Sequence, residues 1–183
     1  MTSSAQSRTS KARALTPDPP RASPAPGDLV FAHSKGLIGR AIRLAERIRW
    51  RGGDAYNHVA VLAEQVGDDW RIIQAEARGV THTGMLSTVA PGGTYVIVPL
   101  APGIDAAKVL AFAQAQVGRR YGFLTVVSII ATILSPRFVD VMLPDTWICS
   151  AVAAESLRFG GWLHNWPDLF QVSPAQLWDA LVS

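Results

Sequence analysis

Apolar and polar positions along this chain change period several times, and each change marks an element. Asp28-Leu29-Val30-Phe31 follows a glycine and reads as a short strand. Over residues 36–50 the apolar side chains Leu37, Ile38, Ala41, Ile42, Ala45 and Ile48 fall at helical spacing. Residues 59–62 and 71–75 are two strand-like runs rich in Val and Ile, separated by a Gly67-Asp68-Asp69 turn. Residues 95–100 form a further β-branched run, closed by Pro99 and Pro102.

The second half of the chain is helical in pattern. Residues 105–117 predict a helix with Gly118 as its stop, and residues 122–134 an apolar helix ending before Pro136. Residues 149–158 predict another, stopped by Gly160-Gly161. In Ser173-Pro174-Ala175-Gln176 the serine caps a last helix, proline occupies its first turn and glutamine completes a capping box. Strands in the first half and helices mostly in the second predict an α+β fold.

Composition separates a tail from this body. Residues 1–26 hold five of the 12 prolines, eight Ser or Thr, and four basic residues against Asp18 alone. Such a segment buries too little apolar surface to offset the entropy of ordering it, so it reads as a disordered tail ahead of a single domain over residues 27–183. It has no apolar stretch after its positive charges and does not read as a secretory signal, which leaves the cytoplasm as the default compartment. The tail supplies the whole net charge of +3, so the body is neutral and does not read as a nucleic-acid binder. The longest apolar run, residues 123–134, is well short of the roughly 20 residues of a membrane helix. Lys35 to Arg51 carries six basic residues and one acid on a helix with an apolar face, a pattern that suits either an anionic surface or plain solvation.

Chemistry enters with the single cysteine. Cys149 falls in the first turn of its helix, where unpaired N–H groups and the helix dipole stabilise a thiolate. A partly accessible thiol of lowered pKa is the expectation. A cysteine nucleophile needs a histidine base and a polar group to orient it. His33 and His164 read as structural or surface residues, and His82 lies between two threonines. His58 opens the apolar strand Asn57-His58-Val59-Ala60-Val61-Leu62, where a polar residue demands a reason. If Leu62 faces Trp70 in the hairpin, His58 faces Gln74; a register two residues longer sets it against Glu76. Directly opposed side chains lie within about 5.5 Å at Cβ, so either could hold the imidazole. The four histidines and one cysteine lack the spacing of a zinc site. No G-x-S-x-G turn, phosphate loop or dinucleotide fingerprint is present.

Gly27-Asp28-Leu29-Val30, Asn57-His58-Val59-Ala60-Val61, Ile72-Ile73-Gln74-Ala75, Tyr121-Gly122 and Trp147-Ile148-Cys149-Ser150 occur in that order. Together with the closing Ser173-Pro174 and Leu177, they resemble the circularly permuted NlpC-type cysteine hydrolases, papain-like proteins of the YiiX-like kind. The resemblance implies a small antiparallel sheet packed against helices, with the nucleophile at a helix N-terminus. It makes Cys149 the nucleophile, His58 the general base and Gln74 the orienting residue, and sets Tyr121 near the site. The family usually has glutamate before alanine where this chain has Gln74-Ala75.

The function implied is hydrolysis of an amide or peptide-like bond, as in cell-wall peptides, through an acyl-enzyme and without metal or other cofactor. The Cys149 backbone N–H would help to stabilise the oxyanion. A lipid acyltransferase or thioesterase of the same fold is a variant of this reading. A catalytically weak binding module is the rival, suggested by glutamine in place of the acid.

Overall fold

The computed structural model describes residues 23–33, 56–90, 95–122, 146–163 and 172–182. Most of the tail, the basic segment 35–51 and the apolar segment 123–134 lie outside the described residues. Five strands form one antiparallel sheet: β1 Leu29–Ala32, β2 His58–Val66, β3 Asp69–Glu76, β4 Gly79–Met85 and β5 Tyr95–Val98, in the order β4-β3-β2-β1-β5. Helices follow as α1 Leu86–Val89, α2 Ala106–Ala115, α3 Cys149–Phe159 and α4 Pro174–Val182. Two short strands, β6 Arg120–Tyr121 and β7 Thr146–Trp147, pair in parallel. This is a mixed α+β fold.

Strand alternation sorts the sheet into two apolar faces. Leu29, Phe31, Val59, Val61, Ile73 and Ala75 share a core with Val109 of α2, Val152 and Leu157 of α3 and Leu177 of α4. Val30, Ala32, Ala60, Leu62 and Ile72 line the other face, with Leu86 of α1 and Ala90. β1 and the Val59–Ala63 stretch of β2 are therefore apolar at every position, the pattern of a sheet buried on both sides.

The predicted strand at Asp28-Leu29-Val30-Phe31, the hairpin and the predicted helices at residues 105–117, 149–158 and 174 onward are present, with ends shifted by one to a few residues. Asp105 caps α2 through Lys108 N–H at 3.1 Å, and the left-handed Gly118 follows its end. The capping box is reciprocal: Gln176 N–H donates to Ser173 Oγ at 3.2 Å and Ser173 N–H to Gln176 Oε1 at 2.9 Å.

The hairpin register differs from the shorter one. Leu62 faces Ile72 rather than Trp70, and a bulge at Ala63 shifts Glu64 onto Arg71 and Gln65 onto Trp70. An extra residue in one strand leaves no mark in an alternation pattern that still reads as strand.

Asp28 ties the start of β1 to its surroundings. Its fully buried carboxylate accepts Ala25 N–H at 2.8 Å and Leu100 N–H at 3.0 Å. Replacing it with alanine strips two backbone donors of a charged acceptor. Asp28→Ala is expected to lower unfolding free energy by about 3 kcal/mol, the scale of lost hydrogen bonds to a buried charge. Asp28→Asn, which keeps one acceptor oxygen, should cost less. Urea unfolding measures both, and a loss below about 1 kcal/mol for Asp28→Ala would remove this role.

Candidate active site

A relay of backbone hydrogen bonds sets Cys149 against the sheet. Gly118 N–H donates to Val80 O and Val80 N–H to Arg119 O, both at 2.9 Å, so the segment leading into β6 is fastened along the start of β4. Gly79 permits this approach: its φ is +113° and a Cβ there would lie 2.4 Å from Arg119 O. Tyr121 of β6 then pairs with Trp147 of β7, and Gly122 N–H donates to Trp147 O at 2.9 Å. Two residues after Trp147 comes Cys149, the first residue of α3, with Ile148 in the capping position and no side-chain cap.

Cys149 is buried, with 7% of its surface exposed, less open than the sequence suggested. The sulfur meets the sheet where β2 and β3 part. Their ladder ends at Val61 and Ile73. On β2 the Leu62 N–H donates to Asp28 O, just before β1, so alternation turns the Val61 and Val59 N–H groups to the opposite, β3 side. Beyond the end of the ladder, Val59 N–H bonds Cys149 instead.

His58 is the first residue of β2, 9% exposed, and its Nε2 lies 2.7 Å from Oε1 of the buried Gln74. The amide oxygen can only accept, so Nε2 carries the proton and Nδ1 is left for Cys149, to which the ring is also hydrogen-bonded. The contact is diagonal. Continued past Val61 and Ile73, the register would set Ala60 against Gln74 and His58 against Glu76. Gln74 reaches one pair along the same face, over the small Ala60. Glu76 lies further off, half-buried, with its carboxylate accepting Thr81 Oγ1 at 3.5 Å.

Electrostatics couple the two reactive groups. Burial pushes the Cys149 thiol up, but the His58 hydrogen bond and charge, with the N–H groups of Val59 and Ser150, bring it below its ordinary value. Burial pushes His58 down; the hydrogen bond and charge of Cys149, then Gln74, then the charge of Glu76 carry it above its ordinary value. A lowered thiol beside a raised imidazole favours the thiolate–imidazolium pair. Burial raises the Tyr121 phenol, and the negative sulfur nearby raises it further.

Of the residues singled out from sequence, the structure brings Cys149, His58 and Gln74 together, with Tyr121 beside them and Glu76 at the rim. His33 instead stacks near Tyr56, with ring centroids 5.5 Å apart, and half-buried His82 sits on β4; His164 lies outside the described residues. Sequence reasoning missed the Val59 N–H and Gly79. A glycine at a strand end is a signal of close backbone approach, but nothing local names what approaches. Among the described residues, no three or more of His, Cys, Asp and Glu are grouped to hold a metal ion. None of their helices is long and apolar enough to cross a membrane.

Fold and site together define an α+β protein with a helix-borne cysteine and a strand-borne histidine at one end of a five-stranded antiparallel sheet. No family model and no curated protein matches the chain. Among solved structures, it is similar to metalloprotein yiiX from Escherichia coli O157:H7, of DUF1105, at a TM-score of 0.53 and 20% identity. The match covers 75% of this chain and 67% of that one. The fold is YiiX-like.

The shifted pair predicts an unusual thiol. Iodoacetamide alkylation of Cys149 should show an inflection well below about 8.5, the free-thiol value. His58→Ala should move it to or above that value, because burial then acts without the imidazolium. Alkylation only after denaturation would mean an inert core cysteine.

Proposed function

We propose that this protein is a papain-like thiol hydrolase of the permuted NlpC type, acting on an amide or peptide-like bond such as those of cell-wall peptides. The observation that carries the reading is the unbroken line Cys149–His58–Gln74, with the thiol at a helix N-terminus. In the first step Cys149 Sγ attacks the carbonyl carbon, and the electron pair moves onto oxygen. N–H groups at the start of α3 face that negative charge. His58 Nδ1–H then protonates the leaving nitrogen as the C–N bond breaks, leaving an S-acyl enzyme. The neutral imidazole next takes a proton from water, whose oxygen attacks the thioester, and the acid product leaves as the thiolate is restored. Gln74 holds the ring throughout and balances the imidazolium with an amide dipole rather than a full charge.

That neutral partner also supports the rival, a binding module that keeps the fold with little turnover. Incubation with peptide amides and with an activated acyl thioester, followed by mass spectrometry of intact protein, separates them. An acyl adduct on Cys149, absent in Cys149→Ala, supports the hydrolase, and a preference for the thioester supports the acyltransferase or thioesterase variant. No adduct with either class of substrate supports the binding module.

Turnover should trace a bell against pH. The acid limb follows thiolate formation, below the ordinary thiol value; the alkaline limb follows loss of the His58 proton, above about 6.5. Gln74→Ala should lower kcat roughly 10- to 100-fold, the kinetic equivalent of a hydrogen bond to a charged group. Gln74→Glu should preserve or raise it, and Glu76→Ala should change it little. Inactivation by Glu76→Ala with Gln74→Ala silent would assign the orienting role to Glu76.

A further inference from the structure

Gly84 lies on β4, far along the chain from Cys149, and directly faces Ile72 of β3. Between the pairs Ile72–Gly84 and Gln74–Thr81, β4 carries one more residue than β3, a bulge that brings Gly84 back under the side chain of Gln74. A Cβ on Gly84 would stand 2.7 Å from Gln74 Nε2 and 3.5 Å from Gln74 Cδ. Real Cβ atoms do not approach a nitrogen so closely. Unlike Gly79, Gly84 is not among the glycines with positive φ, so its backbone would accept alanine. What is reserved there is space, and the group filling it is the carboxamide whose other atom holds His58 at 2.7 Å.

We propose that Gly84 is a positioning residue: its missing side chain is the seat of the Gln74 amide, and through Gln74 it fixes the His58 ring toward Cys149. The argument rests on the reading of Cys149 and His58 as a working pair. Gln74 is the far end of a flexible side chain, so a methyl group at residue 84 displaces the amide more cheaply than it disturbs the sheet. The fold survives and the contact to His58 is lost. Ile72 Cγ1, at 3.4 Å from the same Cβ position, adds only an ordinary tight contact.

The test is a double-mutant cycle on the full chain, with Gly84→Ala, Gln74→Ala and both together. Iodoacetamide inflection, thermal unfolding and the His58 ring titration by NMR are the readouts. Gly84→Ala should raise the alkylation inflection by about one pH unit, a roughly tenfold loss of thiolate at pH values below the inflection. The His58 ring should titrate lower, with Tm close to wild type. In the Gln74→Ala background, where the space is already empty, Gly84→Ala should add nothing. This background also gives a folded comparison if Gly84→Ala alone is unstable. Unchanged His58 titration in Gly84→Ala, or a full additive effect without Gln74, would overturn the proposal. If wild-type Cys149 titrates like an ordinary thiol while His58 still responds to Gly84→Ala through Gln74, the hydrolase reading fails and the seat stands.

Discussion

The Val59 N–H is where the sheet stops pairing with itself and begins to hold a sulfur. Its neighbour Val61 is the last β2 residue in the ladder to β3. One more pair would close the gap, satisfy Val59 with the β3 backbone and leave Cys149 an ordinary core side chain against the sheet. The ladder ends, so a directed donor faces the thiol from the sheet while the first turn of α3 offers the Ser150 N–H. His58, one residue before Val59, is thereby carried to the same gap. A thiolate needs donors from more than one direction when water is largely excluded, and the parted strands supply the second.

Holding that pair in a buried place is costly, and several contacts offset the cost. Desolvation opposes both charged groups, yet each ends on the side of its charged form. Removing one partner would leave the other charge uncompensated, which is far worse than removing both. The Ser150 hydroxyl, on the residue after Cys149, is fully buried without a partner among the described residues, a local cost of about 1–3 kcal/mol. The fastening of β6 onto β4 and of β7 onto β6 does not stabilise the charges itself. It fixes where α3 starts, so that the donors are already aimed when the charge forms.

Legibility in the sequence followed the length of the signal. The hairpin, α2, α3 and the capping box of α4 rest on local patterns several residues long, and each was readable. β6 and β7 hold two residues each and exist only through each other, and β4 is obscured by Thr81, His82, Thr83 and Gly84, which carry no apolar alternation. The Gln74 contact does not follow from the shorter register. The shorter register opposed His58 to Gln74, whereas the structure has the longer one and a diagonal reach. The register is set by a two-residue Gly67-Asp68 turn, with β2 and β3 running on to Val66 and Asp69, and is then moved by one at the Ala63 bulge. The polar Glu64 and Gln65 hide the strand's extension, and neither strand alone encodes the bulge. Resemblance points to Gln74 independently of register, and the 2.7 Å contact with His58 falls at that position.

The neutral third residue fits the depth of the site. With glutamine, the buried group comprises one negative sulfur, one positive ring and one dipole, and its net charge is zero. A glutamate at the same place, 4% exposed, would add a negative charge with only the imidazolium to share between carboxylate and sulfur. The carboxylate would hold His58 more firmly as a cation, which offsets its repulsion of the sulfur; what glutamine avoids is the cost of desolvating a second anion. The chain instead keeps its carboxylate at Glu76, half-buried at the rim, where its field still favours protonated His58 and water moderates its effect on sulfur. Orientation and charge, which one glutamate would supply together, are divided between Gln74 and Glu76. The first acts by contact and the second by field.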